Sequence, residues 1–266
     1  MIRSWKGKTA VITGASSGIG ASLAKYLSQL GIHVFLTARR EERLRDLQAK
    51  ITANGGAASI FPGDLSCDKA RTLLFEEICN EAKEINLLIN NAGIGWYGYY
   101  SDMPWKVAAQ MAAVNVVGMM HMTKLFLPGM LASGKGHVIN IGSIAGSLPN
   151  QGIAAYSASK AFMDAFTTAL HRELKGSGVH ASVMRLGAVR TEFYDRAREL
   201  KNGRSIPAER FAISTDKVNS AFLRLINRPR RVVYVPGWLT VAKYLESTFG
   251  WAIDKLGPVL LKRRGS

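Results

Sequence analysis

Tyr156 and Lys160 stand four residues apart in Tyr156-Ser157-Ala158-Ser159-Lys160. On a helix that spacing puts both on one face, one turn apart. An ammonium beside a phenol favours the phenolate, so the pair should draw the tyrosine's pKa down from about 10. The result is a proton donor and acceptor suited to making or breaking an alcohol O–H bond. Such pairs also arise by chance on solvated helices. Two further features add weight: Ser143, at the end of an apolar run thirteen residues upstream, and a glycine-rich turn near the N-terminus. Together they tie acid–base chemistry to a nucleotide.

The elements that must hold these residues can be read from the N-terminus. Lys8 to Thr13 is a β-branched run ended by Gly14-Ala15-Ser16-Ser17-Gly18-Ile19-Gly20, and Ala21 to Leu30 then has helical periodicity. Strand, glycine turn and helix in that order place a pyrophosphate on helix N-terminal amides, with the Ser16 and Ser17 hydroxyls as added donors. The second strand, His33 to Thr37, is followed by Ala38-Arg39-Arg40. A carboxylate at the end of this strand would hold the ribose 2′-hydroxyl of NAD. Here two arginines open a helix instead, which the macrodipole opposes unless an anion intervenes. A 2′-phosphate is such an anion, so NADP(H) is favoured over NAD(H). The plainer account has both arginines exposed and offset by Glu41 and Glu42.

Further on, strands are expected at Ala57 to Pro62, Asn86 to Asn90, Gly136 to Ile141, Val179 to Arg185 and Val232 to Val235. Helices are expected at Asp68 to Lys83, Pro104 to Met130 with Asn115 inside it, and Ile153 to Lys175. Strands alternating with helices predict an α/β fold: a doubly wound parallel sheet of about seven strands in one domain, residues 1–236. Residues 237–266 form an extension.

Hydrophobic residues make up 47% and charged residues 20% of the 266, as in an ordinary globular protein. No cleavable leader and no membrane-length apolar run is read, and the two cysteines, Cys67 and Cys79, have no metal or Cys-x-x-Cys spacing. A reducing, cytoplasmic setting and no metal are the expectation. The net charge is +16, of which +10 falls in residues 196–266. That excess suits an anionic partner or is simply a solvated surface. No nucleic-acid recognition motif accompanies it.

In order and spacing, Thr13-Gly14-Ala15-Ser16-Ser17-Gly18-Ile19-Gly20, Asn90-Asn91-Ala92-Gly93, Asn115, Ser143 and Tyr156 with Lys160 resemble the short-chain dehydrogenase/reductase family, over Gly7 to Val235. The resemblance implies a Rossmann-like fold, an oxidoreductase, and a homo-oligomer, dimer or tetramer. It implies Tyr156 as general acid or base and Ser143 on the substrate oxygen. Lys160 would lower the tyrosine pKa and grip the nicotinamide ribose, and Asn115 would hold a water in the proton relay. Gly14, Ser16, Ser17, Gly18, Ile19 and Gly20 would bind the NADP(H) phosphates, and Ala38-Arg39 resembles NADP-preferring members, with Arg40 beside it. Asp64 and Leu65 would lie along the adenine, Asn91, Ala92 and Gly93 against the adenosine side. Val189 and Thr191 would touch the carboxamide. One departure is Leu186, where the family segment opens with proline, a stiffer residue.

For substrate, Trp96, Tyr97, Ala145, Leu148, Ile153, Leu186 and Phe193 supply apolar walls suited to a 3-oxoacyl, steroid-like or other lipophilic ketone. The aromatics of residues 96–100 equally suit packing of their own loop. A protein of the same fold that only senses NADP(H) is the alternative function, although such proteins usually lack the tyrosine or lysine kept here. In the extension, Val241, Leu245, Phe249, Ala252 and Leu256 recur at three or four residues, and Lys262-Arg263-Arg264 follow. Such a stripe packs on its own domain or a second subunit more often than it lies on an anionic membrane surface.

Overall fold

In the computed structural model, residues 5–241, 244, 248, 250–252 and 254–255 are described. The first strand, β1 (Thr9–Thr13), shows why the fold has three layers. Its Ala10 and Ile12 point into one apolar cluster and Val11 into another, and all three are fully buried. Side chains alternate across a strand, so a run apolar at every position needs helices on both faces.

Those helices divide cleanly. On one face lie α1 (Gly18–Gln29), α2 (Glu41–Ala53) and α8 (Thr215–Asn227), contributing Leu23, Leu27, Leu44, Ile51, Phe222 and Ile226. On the other lie α3 (Asp68–Glu81), α5 (Met119–Ser133) and α6 (Ala154–Glu173), contributing Leu74, Ile78, Met122, Phe126 and Leu170. Between the layers the remaining strands are β2 (His33–Ala38), β3 (Ala58–Pro62), β4 (Leu87–Asn90), β5 (Gly136–Ser143), β6 (Val179–Leu186) and β7 (Val232–Val235). The seven strands run in the order β3-β2-β1-β4-β5-β6-β7, all parallel. The chain turns back between β1 and β4, and at that switch point the strand C-terminal ends open a crevice.

Two local departures from expectation matter for the site. The helix expected over residues 104–130 is three pieces: α4 (Trp105–Ala112), a π-helical segment (Ala113–Gly118) and α5. The wider π turn carries Asn115, and such insertions concentrate where a side chain must be re-aimed. Strands β5 and β6 also run further than expected, so that Ser143 pairs with Leu186 inside the sheet. Leu186 in turn pairs with Val235, and is buried. Strand pairing on both sides restrains position 186, which is how a leucine is accommodated there. Helices α7 (Phe193–Glu199) and α8 lie outside the elements read from the sequence.

Candidate active site

The turn after β1 is built on contact with the turn after β4. Gly14 has φ +65°, and a Cβ there would stand 2.8 Å from Ala92 Cα, so only glycine lets the two backbones meet. Thr13 Oγ1 accepts from the Asn91 and Ala92 N–H groups at 2.9 and 3.0 Å, while Asn91 Nδ2 donates to Thr13 O at 2.9 Å. Gly20, expected to touch cofactor, does not line the cleft. A Cβ on it would lie 2.5 Å from Gly14 O and 2.6 Å from Asn91 Nδ2, so its smallness serves to seat α1 beneath the turn. Gly14, Ser16, Ser17, Gly18 and Ile19 do line the cleft.

Past β2, Arg39 and Arg40 both face the same space, with Asp64 and Leu65 beside them. Arg40 is the better anchored. Its Nη2 donates to Ser16 Oγ at 3.0 Å and Ser17 Oγ at 2.9 Å, and its Nη1 meets Glu192 Oε2 at 3.3 Å. Glu192 also pairs with Arg43 at 2.5 Å and Arg196 at 3.5 Å. Burial pushes the Glu192 carboxyl up, but hydrogen bonds from Arg43 and Arg40 outweigh this and hold it below the usual range. A cluster of cations at the mouth of a glycine turn, two of its serine hydroxyls already fixed, suits a phosphorylated nucleotide.

Toward the other end, Ser143 ends β5, and its Oγ accepts from Ala145 N at 3.1 Å, capping the 310 turn Ile144–Gly146. Ser143 and Tyr156 line the same cleft. Lys160 is 5% exposed, its Nζ 5.8 Å from the centre of the Tyr156 ring and 2.9 Å from Ile141 O, to which it donates. The lowered tyrosine pKa expected from the spacing is not what this geometry gives. Burial pushes Tyr156 up to about 12, with the Ser143 side chain opposing and Tyr194 adding to the rise. Lys160 is brought down to about 8, again by burial, with Asp164 opposing. For both groups desolvation is the largest cause of the shift.

Asn115 is wholly buried and does not line the cleft. Its Oδ1 accepts from Ile94 N at 2.8 Å, while Nδ2 donates to Ile94 O at 3.0 Å and to Ser159 Oγ at 3.1 Å. It therefore ties the loop after β4 to α6.

Arg39, Arg40, Ser143, Tyr156 and Lys160 share one cleft of about 460 Å³. Asn91, Ala92, Gly93, Trp96, Ala145, Leu148, Ile153, Leu186, Val189, Thr191 and Phe193 also line it. Tyr97 does not; it is buried, as is its neighbour Trp96, whose Nε1 donates to Lys201 O at 3.1 Å. Trp96 thus packs its loop against the rest of the domain, clustering with Val107 and Met111 of α4, while Tyr100 is exposed. Phe193 closes against the glycine that follows Ile94: a Cβ on Gly95 would fall 2.2 Å from Phe193 Cζ. Tyr194, Arg196, Ile206 and Ala208 line the cleft without having been picked out from sequence. Tyr194 and Arg196 lie on α7, directly after Thr191, whereas Ile206 and Ala208 lie beyond that helix, at the 310 turn Pro207–Phe211.

Comparison with known proteins was then informative. The family model "short chain dehydrogenase" matches residues 8–202. A very-long-chain 3-oxoacyl-CoA reductase from Anas platyrhynchos is 38% identical over 180 residues, covering 65% of this chain and 57% of that protein. Little more than half of that relative's length is therefore spanned. Among solved structures, a short-chain dehydrogenase from Sphingobium yanoikuyae in complex with NADPH is 29% identical, with TM-score 0.80, covering 96% of this chain and 97% of that one. A short chain dehydrogenase/reductase from Burkholderia phymatum in complex with NAD is 25% identical, with TM-score 0.84, covering 94% and 96%.

Proposed function

The chain belongs to the short-chain dehydrogenase family, and we propose that it is an NADP(H)-dependent oxidoreductase interconverting a lipophilic ketone and its secondary alcohol. The observation that carries this is Tyr156 with the buried Lys160 ammonium 5.8 Å from its ring centre, standing with Ser143 in the cleft that the glycine turn also lines. The bound nicotinamide supplies or accepts the hydride. Ser143 donates to the substrate oxygen and holds it beside Tyr156. Tyr156, held protonated at neutral pH by its burial, gives its proton to that oxygen in the reductive direction. Lys160 offsets the negative charge left on the phenol. Arg39 and Arg40 favour the 2′-phosphate of NADP(H), while Gly14, Ser16, Ser17, Gly18 and Ile19 approach the pyrophosphate.

Apolar Leu148, Ile153, Leu186 and Phe193 around the reacting groups support an acyl or other lipophilic ketone, in keeping with the acyl-CoA relative. For partners we propose a second copy of the chain. Residues 237–266 are treated as an appendage to the 1–236 domain. Val241 and Trp251 are exposed, at 56% and 65%, which favours a subunit or an anionic lipid surface as what they meet. Leu245, Phe249 and Leu256 lie outside the described residues.

The test is oxidation of NADPH, followed at 340 nm, across 3-oxoacyl thioesters, steroid ketones and small ketones, with Tyr156→Phe in parallel. Turnover of a ketone that Tyr156→Phe lacks is the expected result. Tight NADPH binding without turnover of any carbonyl would identify a sensor instead.

A further inference from the structure

Asp164 lies on α6 one turn beyond Lys160 and two beyond Tyr156, on the same face. It is only 6% exposed. Arg185 Nε approaches its Oδ2 at 3.1 Å, close enough for an ion pair but not aligned as a hydrogen bond, and neither carboxylate oxygen has a hydrogen-bond partner among the described residues. Arg185 is fixed from the other side: its Nη1 donates to the Tyr234 hydroxyl, and its guanidinium carbon lies 5.3 Å from that ring's centre. In the sheet Gly142, Arg185 and Tyr234 form one row across β5, β6 and β7, directly below the row of Ser143, Leu186 and Val235.

The carboxylate is also wedged against the turn that carries Ser143. A Cβ on Gly146 would stand 2.8 Å from Asp164 Oδ2 and 2.8 Å from the Lys160 carbonyl carbon. A Cβ on Gly142 would stand 3.7 Å from Asp164 Oδ1. Holding an under-bonded carboxylate there is costly, and an apolar side chain would fill the space at least as stably. What an apolar side chain would not do is act on Lys160. That ammonium is itself buried, with a single backbone carbonyl as its recorded acceptor.

We propose that Asp164 is a positioning residue for the reaction: its carboxylate, held by Arg185 and Tyr234, keeps the Lys160 ammonium charged and locks α6 to the Ser143 turn. The inference rests on the Tyr156–Lys160 reading above. Burial draws Lys160 down to about 8, and Asp164 is the charge that opposes the fall. The titratable and charged groups facing Asp164 are Lys160 from α6, Arg185 from β6 and, through Arg185, Tyr234 from β7; Gly142 and Gly146 face it from β5 and the 310 turn. Burial raises the Asp164 carboxyl, while Arg185 and Lys160 pull it back down.

The test is the pH dependence of kcat for ketone reduction in wild type, Asp164→Asn, Asp164→Glu and Tyr156→Phe, with thermal unfolding of each. Asp164→Asn keeps the shape and removes the charge. Taking away one nearby opposite charge moves a pKa by about one unit or more. The alkaline limb of kcat should therefore move from near pH 8 to about pH 7, costing about fivefold in rate at pH 8, with KM for the ketone unchanged. Asp164→Glu keeps the charge and overfills the site, so its Tm should fall while its limb stays with the wild type. An unmoved limb in folded Asp164→Asn overturns the proposal. If Asp164→Asn does not fold, Asp164→Ser, smaller and also uncharged, decides: an acid-shifted limb supports the proposal, an unmoved one overturns it. Near-normal turnover by Tyr156→Phe would instead remove the underlying reading, whatever Asp164 does.

Discussion

Replacing Tyr156 by phenylalanine removes one oxygen and leaves the ring packed 5.7 Å from Phe193. NADPH should still bind, while kcat for ketone reduction falls at least about 10²-fold, the usual worth of a placed proton donor. Steady-state kinetics with a cofactor titration separate the two effects. Lys160 makes a different prediction, about stability. Its folded pKa of about 8 lies below the ordinary 10.5, so between those values the unfolded chain binds more protons. Stability from this residue is therefore lowest below pH 8 and recovers as pH rises toward about 10.5. The Tm of Lys160→Met relative to wild type should accordingly fall as pH is raised from 7.5 to about 10; a constant difference would contradict the assignment. For the cofactor, neutral replacements of Arg39 and Arg40 together should weaken NADPH far more than NADH, by about 2–4 kcal/mol if two charge-assisted contacts are lost. Equal weakening in paired binding titrations would refute the 2′-phosphate contact.

At the scale of elements, the loop after β4 depends on one side chain from the π-helical segment. Asn115→Leu keeps the bulk but strands the Ile94 N–H and C=O, each worth about 1–3 kcal/mol when buried without a partner. The expected outcome is a lower Tm together with a raised KM, read by thermal unfolding and initial rates; a normal KM would leave Asn115 a purely structural residue. This segment also marks where the sequence stopped being informative. Local rules located β1, its glycine turn and α1, and fixed β7 at Val232–Val235, because strand runs and glycines are short-range signals. They joined α4 to α5 because a π insertion leaves the apolar spacing of residues 104–130 nearly undisturbed. The stripe Val218, Ala221, Phe222, Leu225 and Ile226 of α8 was readable at helical spacing and went unused. Asp164 at four residues from Lys160 was equally plain in the sequence, yet nothing local shows that Arg185, in a different strand, comes to meet it. The same holds for Tyr156: its spacing from Lys160 is a sequence fact, whereas the burial that sets its pKa is a property of the assembled cleft.

On the whole molecule, the exposed large apolar residues are unevenly distributed. Trp105 on α4 is 76% exposed, and Val117 on the π segment and Phe162 on α6 are exposed as well, on elements that pack against one another. Single exposed apolar residues are ordinary, but this grouping suits burial against a second copy. Trp105→Glu should slow sedimentation toward that of a 29.0 kDa monomer and leave the monomer's fold intact; an unchanged sedimentation coefficient would put the interface elsewhere. Among residues 237–255, Tyr244 at 61% and Trp251 at 65% exposure should tolerate change to serine with little loss of Tm, since both side chains are largely exposed. A clear loss of Tm would show that a subunit covers them.

The strand order has a consequence for how the protein is made. Because β1 is central, β2 and β3 add outward on one side, and β4, β5, β6 and β7 then add one after another on the other. As the chain leaves the ribosome, each strand from β4 onward therefore finds its neighbour already in place, and no later strand has to be threaded between two earlier ones. Throughout synthesis, however, one growing edge stays open, and from completion of the eight-residue β6 until residue 235 emerges that edge is long and apolar. Open edges of this kind template aggregation. The four-residue β7 is what finally blunts it. A chain stopped before Val232 should therefore collect in the insoluble fraction even though most of the cleft has been synthesised.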